Sequence, residues 1–112
     1  MKHPVRALAV AILFAALLFA FQGSPLFSTV DPDNGKEGDT VSAKGQSLGK
    51  KAVGELYLTD GKHDVKAQIL NQADDEITFK VPKASAGRYH LMVLTANKSA
   101  FIEQPVVFTV NE

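Results

Sequence analysis

The chain has no cysteine and no tryptophan among its 112 residues. Without cysteine, neither a disulfide framework nor a cysteine-linked lipid anchor can form. Without tryptophan, and with only two tyrosines, a planar row of sugar-stacking rings is hard to build. The fold must therefore rest on buried apolar side chains, and the roughly 90 residues after the N-terminal segment suffice for one domain.

An excess of basic charge is also missing, since 12 lysines and arginines balance 12 aspartates and glutamates. Removing the first 20 residues removes Lys2 and Arg6 but no acid, which leaves ten basic against 12 acidic groups. Affinity for nucleic acid depends on concentrated positive charge, and here the positive charges are scattered. The composition therefore predicts no DNA or RNA partner.

The N-terminus has the pattern of a secretory signal peptide. Lys2, His3 and Arg6 precede an unbroken apolar run over residues 7–21. A helix of that length spans about 22 Å, short of the roughly 30 Å hydrocarbon core of a bilayer. We therefore predict a signal helix in residues 1–22, one domain in residues 23–112, and a secreted or periplasmic location. If this segment is not cleaved, it is the one predicted membrane contact.

After this segment the hydrophobic pattern has period 2. In residues 76–81, Ile77, Phe79 and Val81 alternate with polar residues, which is typical of a half-buried antiparallel strand. Turn-forming glycine, proline and asparagine separate such runs. We predict seven short strands, at residues 26–30, 40–44, 55–59, 65–69, 76–81, 88–95 and 106–110. Their number and spacing favour an all-β, immunoglobulin-like sandwich of antiparallel strands.

The mature part of the chain resembles the IPT/TIG domains, immunoglobulin-like modules of bacterial surface proteins, some sugar-processing enzymes, plexin-type receptors and certain transcription factors. The matching pieces are residues 30–32, 34–35, 38–39, 48–49, 76–82 and 87–93, with Val41, Ala43, Gly45, Phe108 and Val110. The loop at residues 96–99 departs from the pattern because it lacks glycine. The resemblance implies an interaction unit or spacer in a small exported, bacterial protein.

Candidate chemistry is sparse. The acidic turn at residues 31–39 has oxygen ligands suited to calcium but not the spacing of the known calcium loop, so a polar turn is the favoured interpretation. Asp74, Asp75 and Glu76 are similarly interpreted as a solvated turn. His63 and His90 do not make a zinc site by themselves. No nucleophile motif is present, and we predict no catalytic residue, no cofactor, no metal and no enzymatic activity.

Binding is predicted in two places. Phe101 and Ile102 follow a polar loop and would form a small exposed apolar patch, unless they plug one end of the sandwich. The other place is a free sheet edge, which lysines at 62, 66, 80 and 83 would blunt. The leading hypothesis is a non-enzymatic binding or structural module with a protein or glycan partner at the cell envelope. The alternative is a carbohydrate-binding module, which Tyr57 and His90 on one exposed face would favour.

Overall fold

The computed structural model describes residues 24–112, and the predicted signal segment lies outside them. Eight β-strands account for the regular structure of this part of the chain: β1 Leu26–Asp31, β2 Asn34–Gly35, β3 Thr40–Gln46, β4 Val53–Thr59, β5 Asp64–Ala73, β6 Glu76–Lys80, β7 Gly87–Thr95 and β8 Phe101–Val110. Residues 24–112 contain no helix able to cross a membrane.

The strands follow the order β1-β3-β6-β5-β4-β7-β8-β2. The pairings are antiparallel except for the two-residue β2, which runs parallel to the end of β8. The first four strands in this order match the A-B-E-D sheet of a constant-type immunoglobulin domain, and β4-β7-β8 match its C-F-G sheet. The predicted immunoglobulin-like all-β fold is therefore confirmed.

Strand β5 connects the two sheets because it changes partner along its length. Its first residues, 64–67, pair with β4, and its later residues, 68–73, pair with β6. The two sheets consequently face each other across one apolar core. The rings of Phe79 on β6 and Phe108 on β8 meet edge to face across it, with centroids 6.2 Å apart.

The core contains Ile77, Phe79 and Val81, the three apolar residues whose alternation predicted one buried face. Fully or nearly fully buried are Phe27, Val41, Ala43, Leu56, Leu58, Ala67, Ile77, Phe79, Tyr89, Leu91, Val93 and Phe108. Met92 and Leu94 point to the opposite face of β7, yet each is only 8% exposed. Neighbouring side chains on the outer surface of the β4-β7-β8 sheet must therefore cover them.

A buried glutamine on β8 connects this strand to the beginning of β1. The Gln104 side chain on β8 is 2% exposed. Its Oε1 accepts a hydrogen bond from the Phe27 backbone N–H at 2.8 Å, and its Nε2 donates to the Pro25 and Ile102 carbonyls at 3.3 and 3.4 Å. The bonds to Phe27 and Pro25 replace the missing ladder between β1 and β8, because a side-chain amide offers the same donor and acceptor as a peptide group.

Strand boundaries differ from the prediction mainly at β8. This strand begins at Phe101, five residues before the predicted start at 106. The added part of the strand contains Pro105, whose missing N–H cannot donate to a ladder. In the structure it lies where the β7–β8 register shifts, between the pairs His90↔Val107 and Met92↔Glu103, so the strand continues past it. The eighth strand, β2, is too short to show any periodicity.

Candidate binding surface

Phe101 is the most exposed large apolar side chain of the described residues, at 58%. It lies at the start of β8, opposite Leu94 on β7. Ile102 points the other way, because successive residues of a strand face opposite sides of the sheet. It is half-buried and packs against the core. The predicted pair therefore separates: Phe101 is available on the surface, whereas Ile102 helps to close the sandwich. A binding role for either residue stays a prediction.

The Phe101 ring lies beside Tyr57 of β4. Their centroids are 5.6 Å apart and their planes meet at 69°, an edge-to-face arrangement. Tyr57 pairs with Met92 across the β4–β7 ladder, and Phe101 pairs with Leu94 across the β7–β8 ladder. The two rings thus lie next to the nearly buried Met92 and Leu94. We call these four residues the aromatic face.

Two charged groups border the aromatic face. The Tyr57 hydroxyl donates a hydrogen bond to Glu55 Oε1 at 2.5 Å, and Lys66 Nζ lies 3.5 Å from Glu55 Oε2. The bond from Tyr57 lowers the pKa of Glu55, with a smaller contribution from the Lys66 charge. The same bond raises the pKa of Tyr57. At neutral pH the surface therefore presents a carboxylate and an ammonium group next to the rings.

His90 lies on the same side of the sheet as Tyr57. It pairs with Thr59, two residues from Tyr57 on β4, and equal spacing by two keeps side chains on one face. His90 is half-buried, and its Nδ1 lies 2.9 Å from the Gln104 carbonyl oxygen. Tyr57 and His90 therefore share one outer face, the arrangement that favours a carbohydrate-binding module.

The other sequence-predicted candidates have local structural roles. In the turn at residues 31–39, Asp33 Oδ1 accepts from the Asn34 side chain and Asp39 Oδ2 accepts from the Lys36 backbone N–H, each at 2.9 Å. Glu76 accepts a short hydrogen bond from the Ser42 hydroxyl. Within residues 24–112, no group of three or more histidines and carboxylates could hold a metal ion.

The loop between β4 and β5 is fixed by Asp60. Its Oδ1 accepts hydrogen bonds from the backbone N–H groups of His63 and Lys62, at 2.6 and 2.8 Å. These two bonds, His63 first, lower the pKa of Asp60 to about 2. The His63 ring nitrogen lies 3.3 Å from the other carboxylate oxygen. Both groups are thus used to shape an exposed loop.

Comparison with known proteins finds similarity to a part of larger bacterial proteins. No family model matches the chain. A segment of 73 residues, 65% of the chain, is 32% identical to part of a cyclomaltodextrin glucanotransferase from Bacillus sp. (strain 1-1). The crystal structure of a gamma-CGTase from alkalophilic Bacillus clarkii superposes on 77% of the chain with a TM-score of 0.62 and 24% identity, which establishes similarity of fold.

The similarity is confined to a small part of each enzyme. It spans 10% of the length of the Bacillus sp. protein and 12% of the B. clarkii chain. The chain thus spans about a tenth of the length of each of these larger proteins.

Proposed function

We propose that this chain is a non-enzymatic, exported module that binds a glycan through its aromatic face. The single observation that carries the proposal is the exposed Phe101 ring resting beside Tyr57, with Glu55 and Lys66 at its border. An exposed ring contributes apolar contact area, and a few fixed polar groups then orient the ligand.

The chemistry of this surface suits a sugar better than a purely apolar partner. The C–H face of a pyranose ring packs on an aromatic ring, while vicinal hydroxyls are both donors and acceptors. The Glu55 carboxylate accepts hydrogen bonds and the Lys66 ammonium donates them, so the two offer complementary partners for neighbouring hydroxyls. A protein partner, the other possibility left by the sequence, would gain less from this pair, since exposed ion pairs contribute little.

The similarity to a cyclomaltodextrin glucanotransferase supports an α-linked glucose chain as the ligand. Because the matched segment is about a tenth of that enzyme, an accessory role, rather than catalysis, is the corresponding role for this chain. The proposal includes membership of the IPT/TIG type and export through the signal segment at residues 1–22, both of which the sequence pattern supports.

The geometry limits the expected affinity. The two rings are 69° from parallel, so they do not form a flat platform for two consecutive sugars. One exposed ring, Phe101, supplies the main stacking contact. Loss of a buried Phe contact costs roughly 1.5–3 kcal/mol, which corresponds to about a tenfold to hundredfold loss of affinity.

Calorimetric titration of the full chain with maltoheptaose, in a detergent that carries no sugar group, tests the proposal. We expect saturable binding that Phe101→Ala weakens about tenfold to a hundredfold. The matched control is Leu70→Ala, because Leu70 is also a large exposed apolar residue, at 42%, but lies on β5. Cellohexaose is the linkage control. Absence of binding, or equal binding by Phe101→Ala, would contradict the proposal.

A further inference from the structure

A cavity of about 470 Å³ opens where β5 changes partner. The β5 residues 64–67 pair with β4, and pairing with β6 begins only at Gln68↔Lys80. Residues 81–83 follow the end of β6 and do not pair with β5, and Val81 exchanges backbone hydrogen bonds with Gly38 and Asp39 instead. The space left between this segment and the first half of β5 is the cavity, and we call it the switch cavity.

Its lining concentrates positive charge. Lys66, Lys80 and Lys83 contribute three ammonium groups, whereas Glu37 is the one carboxylate among its lining residues. This distribution contrasts with residues 24–112 as a whole, where ten basic groups face 12 acidic ones. Lys66, Lys80 and Lys83, which the sequence analysis assigned to a sheet edge, thus lie together where β5 changes partner.

Two of these charges have no internal partner. Within residues 24–112, neither Lys80 nor Lys83 has a carboxylate within ion-pairing distance, and only Lys66 has one, Glu55 at 3.5 Å. Like charges held around one cavity repel each other, and a bound anion removes that repulsion. Gln68 adds an uncharged amide that can donate to the same anion.

The size of the switch cavity suits a group larger than a single small ion. Its 470 Å³ is many times the roughly 30 Å³ share of one water molecule. Lys83 also lines a second cavity of about 630 Å³, next to Ser85 and Tyr89. Asp60 carries its negative charge in that second cavity, which leaves the switch cavity for the anionic group.

We infer that the switch cavity binds an anionic group of an acidic polysaccharide, at a site that adjoins the aromatic face through Lys66. The cavity contains no aromatic ring, and single-stranded nucleic acids depend on aromatic stacking, so a sugar polymer is the better match. The attraction acts between solvent-accessible charges and is therefore sensitive to salt.

Heparin is the probe that tests this inference, with neutral dextran as the uncharged comparison. The full chain is titrated at about 0.01 M ionic strength, where screening acts over about 30 Å, and again at about 0.1 M, where it acts over about 10 Å. The double variant Lys80→Gln, Lys83→Gln should bind heparin about tenfold to thirtyfold more weakly at the lower salt. The same double variant should leave dextran binding unchanged, because dextran carries no charge and, as an α-linked glucose chain, is expected at the aromatic face.

The matched control is Lys50→Gln, Lys51→Gln, which removes the same charge from two exposed lysines outside the switch cavity. It should change heparin binding less than about threefold. Equal losses in both double variants would mean diffuse attraction and would overturn the site, as would the absence of heparin binding.

Further titrations distinguish an acidic polysaccharide from other polyanions. Polygalacturonate, which carries carboxylates in place of sulfates, should compete with heparin. Duplex DNA or anionic phospholipid vesicles that bind as tightly as heparin, with the same loss in the cavity variant, would overturn the polysaccharide assignment. Phe101→Ala should leave heparin binding unchanged, so the outcome is independent of the maltoheptaose experiment.

Discussion

Replacing Gln104 by leucine should destabilise the sandwich out of proportion to the size of the change. Leucine fills a similar volume but can neither donate nor accept a hydrogen bond. The Phe27 N–H, in a residue with no exposed surface, would lose its acceptor at 2.8 Å, and the buried Pro25 carbonyl would lose its donor. The substitution removes the side-chain amide and leaves its backbone partners buried without a hydrogen bond. This costs more free energy than replacing both partners of a hydrogen bond by apolar groups.

The magnitude follows from the groups left unpaired. A buried N–H without a partner costs roughly 1–3 kcal/mol, and an under-satisfied carbonyl is tolerated somewhat better. We expect Gln104→Leu to lower the free energy of unfolding by about 2–4 kcal/mol, a large share of the roughly 5–15 kcal/mol of an ordinary domain.

A second replacement, Gln104→Glu, makes the same contact depend on pH. Burial and the two facing carbonyls disfavour the ionised form, so the folded-state pKa of the introduced carboxyl should rise above its unfolded value of about 4.3. The penalty is then absent below about pH 4.3 and grows as the pH rises towards the raised folded value. The stability gap to the unmodified protein should therefore widen from acid to neutral pH.

Urea denaturation of the full chain measures these differences, with Gln46→Leu as the control because Gln46 is an exposed glutamine on β3. The control should stay within about 0.5 kcal/mol of the unmodified protein. A Gln104→Leu variant equally close to it would refute the role of this side chain in joining β1 to β8. If the stability loss of Gln104→Glu did not change with pH, the predicted rise in the pKa of the buried carboxyl would be refuted.

Three further outcomes are expected. Phe79→Ala should cost about 3–5 kcal/mol in urea denaturation, since Phe79 is fully buried against Phe108, and a cost under about 1 kcal/mol would remove it from the core. Millimolar calcium should leave the Tm unchanged, because Asp33 and Asp39 already accept hydrogen bonds in their turn; a rise would reveal a calcium site. An NMR titration should place the pKa of Asp60 at about 2, so that its stabilisation is present above the unfolded value of about 3.9 and is lost as the pH falls through about 2; an ordinary pKa would contradict the hydrogen bonds from the loop N–H groups.

The faces of the strands were predictable because alternation is a local property. Ile77, Phe79 and Val81 were assigned to one face from period 2 alone, and each is buried. Side chains two apart on a strand must share a face, so one correct strand fixes several burial states at once.

Contacts between strands were not predictable in the same way, because they depend on register. Phe101 was recognised as a candidate from its loop context, but its meeting with Tyr57 requires the β4–β7 and β7–β8 ladders together. Tyr57 is 44 residues away in the chain, and no spacing rule links the two. Ile102 was assigned to the same patch because the predicted strand began four residues after it.

The buried amide of Gln104 and the switch cavity had no sequence signal. A lone glutamine beside a proline is typical of a loop, and only the proximity of β1 makes it a substitute for backbone pairing. Lys66 belongs to β5, Lys80 ends β6, and Lys83 follows that strand. They converge because β5 changes partner between residues 67 and 68, a property of the whole sheet rather than of any segment.

Tyrosine fluorescence during a maltoheptaose titration tests the glycan-binding aromatic face most directly. The chain has no tryptophan to mask the signal, and of its two tyrosines Tyr57 lies on that face while Tyr89 is buried. We expect a saturable change in the unmodified protein that is lost in Tyr57→Phe, although calorimetry still detects binding by that variant. No saturable change, or the same change in Tyr57→Phe or with cellohexaose, would contradict a glucan-binding role for this surface.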